Sequence, residues 1–145
     1  KYLPHVVETS VGVDRTFLAI LTESYTEEKI KDGEERIVMK FSKKLAPIKV
    51  AIFPLLKNKP ELVEKAREVF SLFENKNGEI VFDDNGNVGK RYRRQDEIGT
   101  PYCFTIDTDT LNDQTVTVRE RNTMTQERIS LDQALPFLKE KLSVY

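Results

Sequence analysis

Hydrophobic and polar positions along this chain follow two rhythms, and the switches between them mark out its elements. Ile48-Lys49-Val50-Ala51-Ile52-Phe53 is a mostly apolar run, rich in β-branched residues and stopped by Pro54, which predicts a buried strand. Pro60 then takes the favoured first-turn position of a helix, and Leu62, Ala66, Val69, Phe70 and Phe73 recur at helical spacing up to a stop at Gly78. Glu79-Ile80-Val81-Phe82 predicts a second strand, and Asp83-Asp84-Asn85-Gly86-Asn87 a turn. A short basic helix runs over Val88–Ile98 and closes at Gly99, with Pro101 just beyond. Residues 102–107 predict a third strand, and 115–120 with 126–129 a hairpin around Arg121-Asn122-Thr123-Met124. Ser130-Leu131-Asp132-Gln133 has the form of a capping box, and Leu131, Leu135, Leu138 and Leu142 share the inner face of a last helix. The order βαβαβββα predicts an α/β fold, a mixed five-stranded sheet with flanking helices on both faces.

The N-terminal part reads differently. Lys1-Tyr2-Leu3-Pro4-His5-Val6-Val7 has the pattern of a strand already under way, and its partners are expected in a larger protein from which this chain is a piece. The strand is expected to run on through Glu8-Thr9-Ser10-Val11 and to stop at Gly12. Val13-Asp14-Arg15 then opens an amphipathic helix with Phe17, Ile20, Leu21, Ser24 and Tyr25 on one stripe, widened by Leu18. Residues 26–44 form a charge-rich bridge in which Gly33 breaks any helix, and Ile37, Val38 and Phe41 could make a short strand or an extended segment. The expected division is a strand–helix unit over 1–25, a linker over 26–46 and an α/β domain over 47–145.

Composition narrows the setting. The chain has 145 residues, 39% of them hydrophobic and 32% charged, which suits a globular domain with a charged surface. No apolar run approaches the roughly 20 residues of a membrane helix. Cys103 and His5 are each the only one of their kind, which excludes an internal disulfide and a His/Cys metal cluster and makes a reducing, cytoplasmic setting the simpler reading. A net charge of −1 gives no global pull on nucleic acid, so any RNA binding must be local.

Several residues carry candidate chemistry. A helix N-terminus favours anions, and Arg15 in the first turn adds a cation able to grip a phosphate with two hydrogen bonds; the alternative is a plain surface charge. Asp14 reads as an N-cap, and Gly12 as a place where backbone can approach a ligand closely. Glu8 and Ser10, two apart on an extended strand, point to one face and could hold the ammonium of a very small amino acid, or be ordinary polar residues at a strand end. Lys90, Arg91, Arg93 and Arg94 surround Tyr92 in the densest basic patch of the chain. That patch suits a phosphate backbone and a stacked base, or equally a solvated helix face paired with Asp96 and Glu97 over a core tyrosine. Arg119 and Arg121 share one face of a strand with Arg128 across the hairpin, a geometry for exposed bases or for pairing with Glu120 and Glu127. Asp83-Asp84-Asn85-Gly86-Asn87 fails as a calcium loop, because its glycine is misplaced and its twelfth position is Arg94.

Taken together, Glu8-Thr9-Ser10-Val11-Gly12-Val13-Asp14-Arg15, the run from Leu45 to Leu62, the stretch from Gly89 to Pro101 and Asp113-Gln114-Thr115-Val116-Thr117-Val118-Arg119-Glu120-Arg121 resemble the glycyl-tRNA synthetase family of class II aminoacyl-tRNA synthetases. The resemblance spans essentially the whole chain, while the family's first and second motifs are missing. It departs at Thr9, where the family pattern has proline. It implies a strand–helix remnant of the class II catalytic domain (its third motif) followed by a class II anticodon-binding domain. It further implies that Gly12, Val13, Asp14 and Arg15 meet ATP, with Arg15 the catalytic contact, and that Glu8, Ser10 and Gly12 meet glycine. Lys90, Arg91, Arg93, Arg119 and Arg121 become the residues expected at the tRNA anticodon. The implied partners are glycine tRNA, glycine, ATP with Mg²⁺ and a homodimer mate in the parent enzyme, with no membrane, DNA or protein-held metal. The isolated piece is expected to be inactive. A non-catalytic RNA-binding or polymerase-accessory module with the same fold is the alternative. A flavodoxin-like nucleotide domain is disfavoured, because no phosphate-cradling loop follows the first strand of the domain.

Overall fold

The computed structural model describes residues 2–30, 33–77 and 79–142, with backbone alone at 74–77; Lys1, Lys31, Asp32 and Gly78, which enter the expectations above, lie outside them. The elements run α1 Val13–Ser24, β1 Tyr25–Lys29, β2 Glu35–Met39, β3 Val50–Pro54, α2 Pro60–Asn77, β4 Ile80–Phe82, α3 Val88–Ile98, β5 Tyr102–Ile106, α4 Thr108–Asp113, β6 Thr115–Glu120, β7 Gln126–Ser130 and α5 Leu131–Leu142. The expected mixed five-stranded sheet forms in the order β4-β3-β5-β6-β7. Its β3 is parallel to β4 and β5, and β5, β6 and β7 are antiparallel neighbours.

All five residues of β3 and of β5 are buried, because helices cover both faces of the sheet centre. The period-2 alternation of strands divides them. Val50, Ile52, Phe104 and Ile106 face α2 and α5, meeting Ala66, Val69, Phe73, Ala134, Leu138 and Leu142. Ala51, Phe53 and Cys103 face the other way, toward Val88 and Tyr92 of α3. Burial pushes the Cys103 thiol far above its ordinary range, so it is an inert packing group.

Several local features differ from the sequence expectation. The strand expected to run up to Gly12 is absent among the described residues: residues 2–12 have no regular structure and are exposed. A strand without neighbours leaves its backbone groups to water, and none of the described strands lies beside it. Gly12, not Asp14, is the N-cap of α1, and Asp14 lies inside its first turn, where its charge suits the helix dipole. The stripe of α1 is half used, with Ser24 buried, Ile20 and Leu21 half-buried, and Phe17 and Leu18 exposed. Tyr25 already belongs to β1. Between β5 and β6 a short α4 was not expected; it has no apolar stripe and is held by a reciprocal Asp107–Thr110 capping box and a left-handed Gln114. Ser130 is the last residue of β7, so α5 starts directly from the strand and not from a Ser130 cap.

The bridge is also not a tether. Residues 25–39 form an antiparallel hairpin with Tyr25 opposite Met39 and Lys29 opposite Glu35. From β2 the Arg36 side chain, fully buried, reaches Glu28 of β1 at 2.7 Å, Asp96 of α3 at 3.1 Å and the backbone carbonyls of Arg121 and Asn122 at 3.1 and 3.2 Å. Asp96 has no exposure and takes two more bonds, from Arg119 at 2.8 and 3.0 Å. In the reverse direction Arg121 donates to the carbonyls of Gly99 at 2.6 Å and Phe41 at 2.7 Å. Gly99 sits at φ +87°, and a Cβ there would fall 2.5 Å from the Phe41 ring and 2.7 Å from the Met39 carbonyl. Only a glycine allows the end of α3 to come so close to the end of β2.

Removing one partner of a buried ion pair leaves the other charge uncompensated. Asp96→Ala is therefore expected to lower unfolding free energy by about 3–5 kcal/mol, seen as a fall in the urea midpoint with an unchanged m-value.

Candidate nucleic-acid interface

The chain leaves β3 through α2 to β4 on one face of the sheet and returns through α3 to β5 on the other. In open α/β sheets, ligands meet the carboxyl ends of strands at such a switch in direction. Here three loops converge: 55–59 after β3, 83–87 after β4, and the start of α4 after β5. They are tied together by Leu55 N–H to the Ile106 carbonyl at 2.7 Å and Asp83 N–H to the Ile52 carbonyl at 3.1 Å.

Arginines hold the β4–α3 turn. Arg91 is 1% exposed, with one terminal nitrogen on the Pro54 carbonyl and the other on the carbonyls of Asp84 at 3.2 Å and Gly86 at 2.7 Å. Burial lowers its proton affinity below the usual arginine range, and its Nε has no hydrogen-bond partner. Arg94 grips both oxygens of Asp83 at 2.9 and 2.7 Å and reaches the Asn85 carbonyl at 2.6 Å. Asn87 then caps α3, its side chain accepting the Lys90 N–H at 2.8 Å. The acidic residues of this turn are spent on arginines, and the turn presents the first turn of α3 to solvent.

On either side of that first turn lies an open depression. One, of about 330 Å³, is lined by Leu56, Lys57 and Asn58 from the β3–α2 loop and by Asn87, Val88 and Arg91. The other, of about 370 Å³, is lined by Asn87, Gly89, Lys90, Tyr92 and Arg93, with Glu34 and Arg119. Lys57 and Lys90 are exposed cations, and Leu56, next to Lys57 in the β3–α2 loop, is an exposed apolar side chain. Arg93 is half-buried, 3.4 Å from Glu34 and 3.9 Å from Asp96.

The sequence-derived site therefore divides. Lys90 and Arg93 reach the surface around α3, while Arg91, Arg119 and Arg121 are buried at 1, 4 and 2% exposure with their terminal nitrogens bonded internally. The expectation that Arg91, Arg119 and Arg121 face RNA is corrected on that ground. Burial works against the Arg119 charge, but the hydrogen bonds and charge of Asp96 outweigh it and hold the guanidinium above its usual range. Burial lowers Arg121. Arg119 pairs with Asp96 and not with Glu120 or Glu127. Arg128 stands opposite Thr117 and bonds Asp107 at 2.6 Å, apart from Arg119.

Tyr92 is a core residue. Its hydroxyl lies 2.6 Å from Thr105 Oγ1, its ring meets Phe53 edge-on at 5.1 Å, and the Arg119 guanidinium sits 4.7 Å from its centroid. Burial raises its pKa, partly offset by Thr105.

The N-terminal candidates lie elsewhere. Glu8 and Ser10 stand exposed on the irregular segment, and Gly12, Val13, Asp14 and Arg15 are exposed at the start of α1. The described residues bring no second wall to them. Conversely, Lys57 and Leu56 were missed from sequence, although their place directly after a buried strand was a usable signal.

Residues 49–141 match the family described as "Anticodon binding domain". The chain is 52% identical over its whole length to a protein named "Glycine--tRNA ligase" from Borrelia garinii subsp. bavariensis, of which it covers 32%. It is 49% identical over 98% of its length to one of that name from Clostridium acetobutylicum, and 51% over 95% to another from Mycoplasmopsis synoviae, covering 30% of each. The chain thus spans about a third of the length of these relatives. Among solved structures, the RNA binding domain of a threonyl-tRNA synthetase from Cryptosporidium parvum Iowa II superposes with a TM-score of 0.62 at 22% identity, over 70% of this chain and 25% of that one. That likeness concerns the fold.

The two kinds of basic residue should separate in stability measurements. Arg119→Met strands Asp96 beside one arginine fewer and is expected to cost roughly 3 kcal/mol. Arg121→Met orphans two carbonyls, at about 1–3 kcal/mol each. Lys57→Ala and Lys90→Ala should stay within about 0.5 kcal/mol of wild type in denaturant unfolding.

Proposed function

Because the chain belongs to the anticodon-binding domain family, we propose that it is the tRNA-binding part of a glycine–tRNA ligase and meets the anticodon arm of glycine tRNA at the first turn of α3. The observation that carries this reading is the division of cations. Lys57, Lys90 and the outer edge of Arg93 surround a capped helix N-terminus at the carboxyl ends of β3 and β4, whereas the neighbouring arginines are committed to the fold. Exposed lysines contact phosphates, and the depressions beside Leu56 and Val88 suit bases splayed out of a single-stranded loop.

In the parent enzyme, glycine and ATP would form glycyl-adenylate and pyrophosphate, and the glycyl group would pass to the 3′ end of the tRNA. Arg15 would hold the triphosphate with Gly12, Val13 and Asp14 beside it, an electrostatic and positioning role. Glu8 and Ser10 would hold the glycine ammonium on the strand that needs neighbours from outside this chain. Mg²⁺ would arrive with ATP. A homodimer in the cytoplasm is the expected form of the parent. The alternative of a non-catalytic module is not favoured, since the likeness to the Borrelia ligase runs through residues 8–15 as well as the domain.

Salt titration of anticodon-arm binding tests the interface. Lys57→Ala and Lys90→Ala should each weaken binding and reduce the slope of log K against log salt by about one. Unchanged slopes for both would remove α3 from the interface. In the full-length enzyme, Arg15→Ala should slow glycine-dependent ATP–pyrophosphate exchange by about 10²–10³-fold; an unaffected exchange rate would sink its assigned role. Glu8→Ala should harm glycine use and spare ATP, and the reverse result would invert that assignment.

A further inference from the structure

Helix α1 carries Arg15 at its start and is held at its end. Its last carbonyl, on Ser24, accepts the Lys40 N–H at 2.7 Å, and the Lys40 ammonium closes on Glu28 at 2.5 Å. Those groups belong to the β1–β2 hairpin, and the hairpin is fixed to the sheet domain by contacts that run in both directions. Arg36 passes from the hairpin into the domain, to Asp96 and the carbonyls of Arg121 and Asn122. Arg121 passes from the domain back to the Phe41 carbonyl. Gly99 lets Met39 and Phe41 lie against the end of α3. A planar guanidinium bonded along several directions at once tolerates neither sliding nor rotation, because each small displacement strands a buried donor.

The same cluster reaches the RNA side through one residue. Arg93, with a third of its side chain exposed, lines the outer depression and also approaches Asp96 and Glu34. Thus α3 shows one edge to the proposed anticodon contact and buries the other in the clamp that orients α1. We propose that Arg36, Asp96 and Gly99 are positioning residues that hold the Arg15 end of α1 at one set angle to the first turn of α3, so that a tRNA engaged at its anticodon is aligned for chemistry at its other end. This inference rests on the functional reading above.

A rigid spacer affects only a substrate that touches both ends. The test uses the full-length ligase with Arg36→Met, which frees the hairpin while Arg119 still compensates Asp96, and with Gly99→Ala, which forces a methyl group into the Phe41 ring. Four quantities are measured: tRNA-free ATP–pyrophosphate exchange, charging of an acceptor-stem hairpin lacking an anticodon, charging of intact glycine tRNA, and equilibrium binding of the anticodon arm. Exchange, hairpin charging and arm binding are expected to stay within about twofold of wild type. Charging of intact tRNA should fall tenfold or more, chiefly in kcat.

Unchanged charging of intact tRNA in both variants overturns the proposal. So does a parallel loss in exchange or hairpin charging, which would mean general damage. Should Arg36→Met fail to accumulate as folded protein, Arg36→Lys, which keeps the charge and loses the fork, is judged by the same criteria. A wild-type enzyme that charges no glycine tRNA would remove the functional reading itself, whereas a competent wild type with fully active variants removes the coupling alone.

Discussion

A single carboxylate, Asp96, sits without exposure at the last turn of α3 and accepts hydrogen bonds from Arg36 and Arg119, with Arg93 beside it. Three segments distant in sequence are drawn to that point: the hairpin, the helix and the sheet. The charge balance explains why arginine is used there. Asp96 cannot occupy all the donors of two buried guanidinia, and the remaining donors of Arg36 go to Glu28 and to the backbone carbonyls at 121 and 122, while Arg121 serves those at 41 and 99. A lysine ammonium has three donors on a flexible stem and could not bridge the same geometry. The desolvation cost of these charges is offset by the bonds among them, so the hairpin keeps its fixed place against the sheet domain only while the set stays assembled.

The consequence for binding is that basic residues must be counted by where their donors go. Helix α3 makes this plain, since its cations alternate in fate with helical spacing. Positions 91, 95 and 96 turn inward and are buried, while 90, 93 and 94 reach toward solvent. Arg91 builds the floor of the groove from underneath by holding the ends of β3 and the β4–α3 turn together. Arg94 fixes that turn from outside by gripping Asp83. The residues left to meet a partner are fewer than the cluster of basic letters suggests, and they frame a helix start that is already shaped.

Much of this was legible in the sequence. The apolar runs of β3 and β5, the apolar stripe of α2, the Val88 start and Gly99 stop of α3, and the β6–β7 hairpin all appear where the pattern puts them. Helical periodicity within residues 88–99 also contained the division of Arg91 from Lys90 and Arg93. Strand alternation set Arg119 on the face opposite Val116 and Val118, and the missing step was that those valines commit their face to α2 and α5, which leaves Arg119 to lie under α3; Arg121 falls in the turn after β6 and not on the strand. Other features were not legible. Helix α4 rests on one capping box without a stripe. The hairpin depends on Arg36 finding a carboxylate 60 positions away. The segment 2–12 had strand-like letters, but a strand is a property of its neighbours as much as of its own residues.

The balance of charge finally bears on how a polyanion could be recognised. A net charge of −1 provides no long-range attraction, and exposed cations are screened beyond roughly 8 Å at physiological salt. Recognition must then rest on contacts made at close range: a few lysines on phosphates, the free edge of a helix start, and depressions sized for single bases. Such contacts reward shape more than charge, and shape is what the buried arginines supply, by holding loops 55–59 and 83–87 in register. The basic residues absent from the surface would thus serve the proposed interface indirectly, since the arrangement they fix is the one an incoming loop would have to fit.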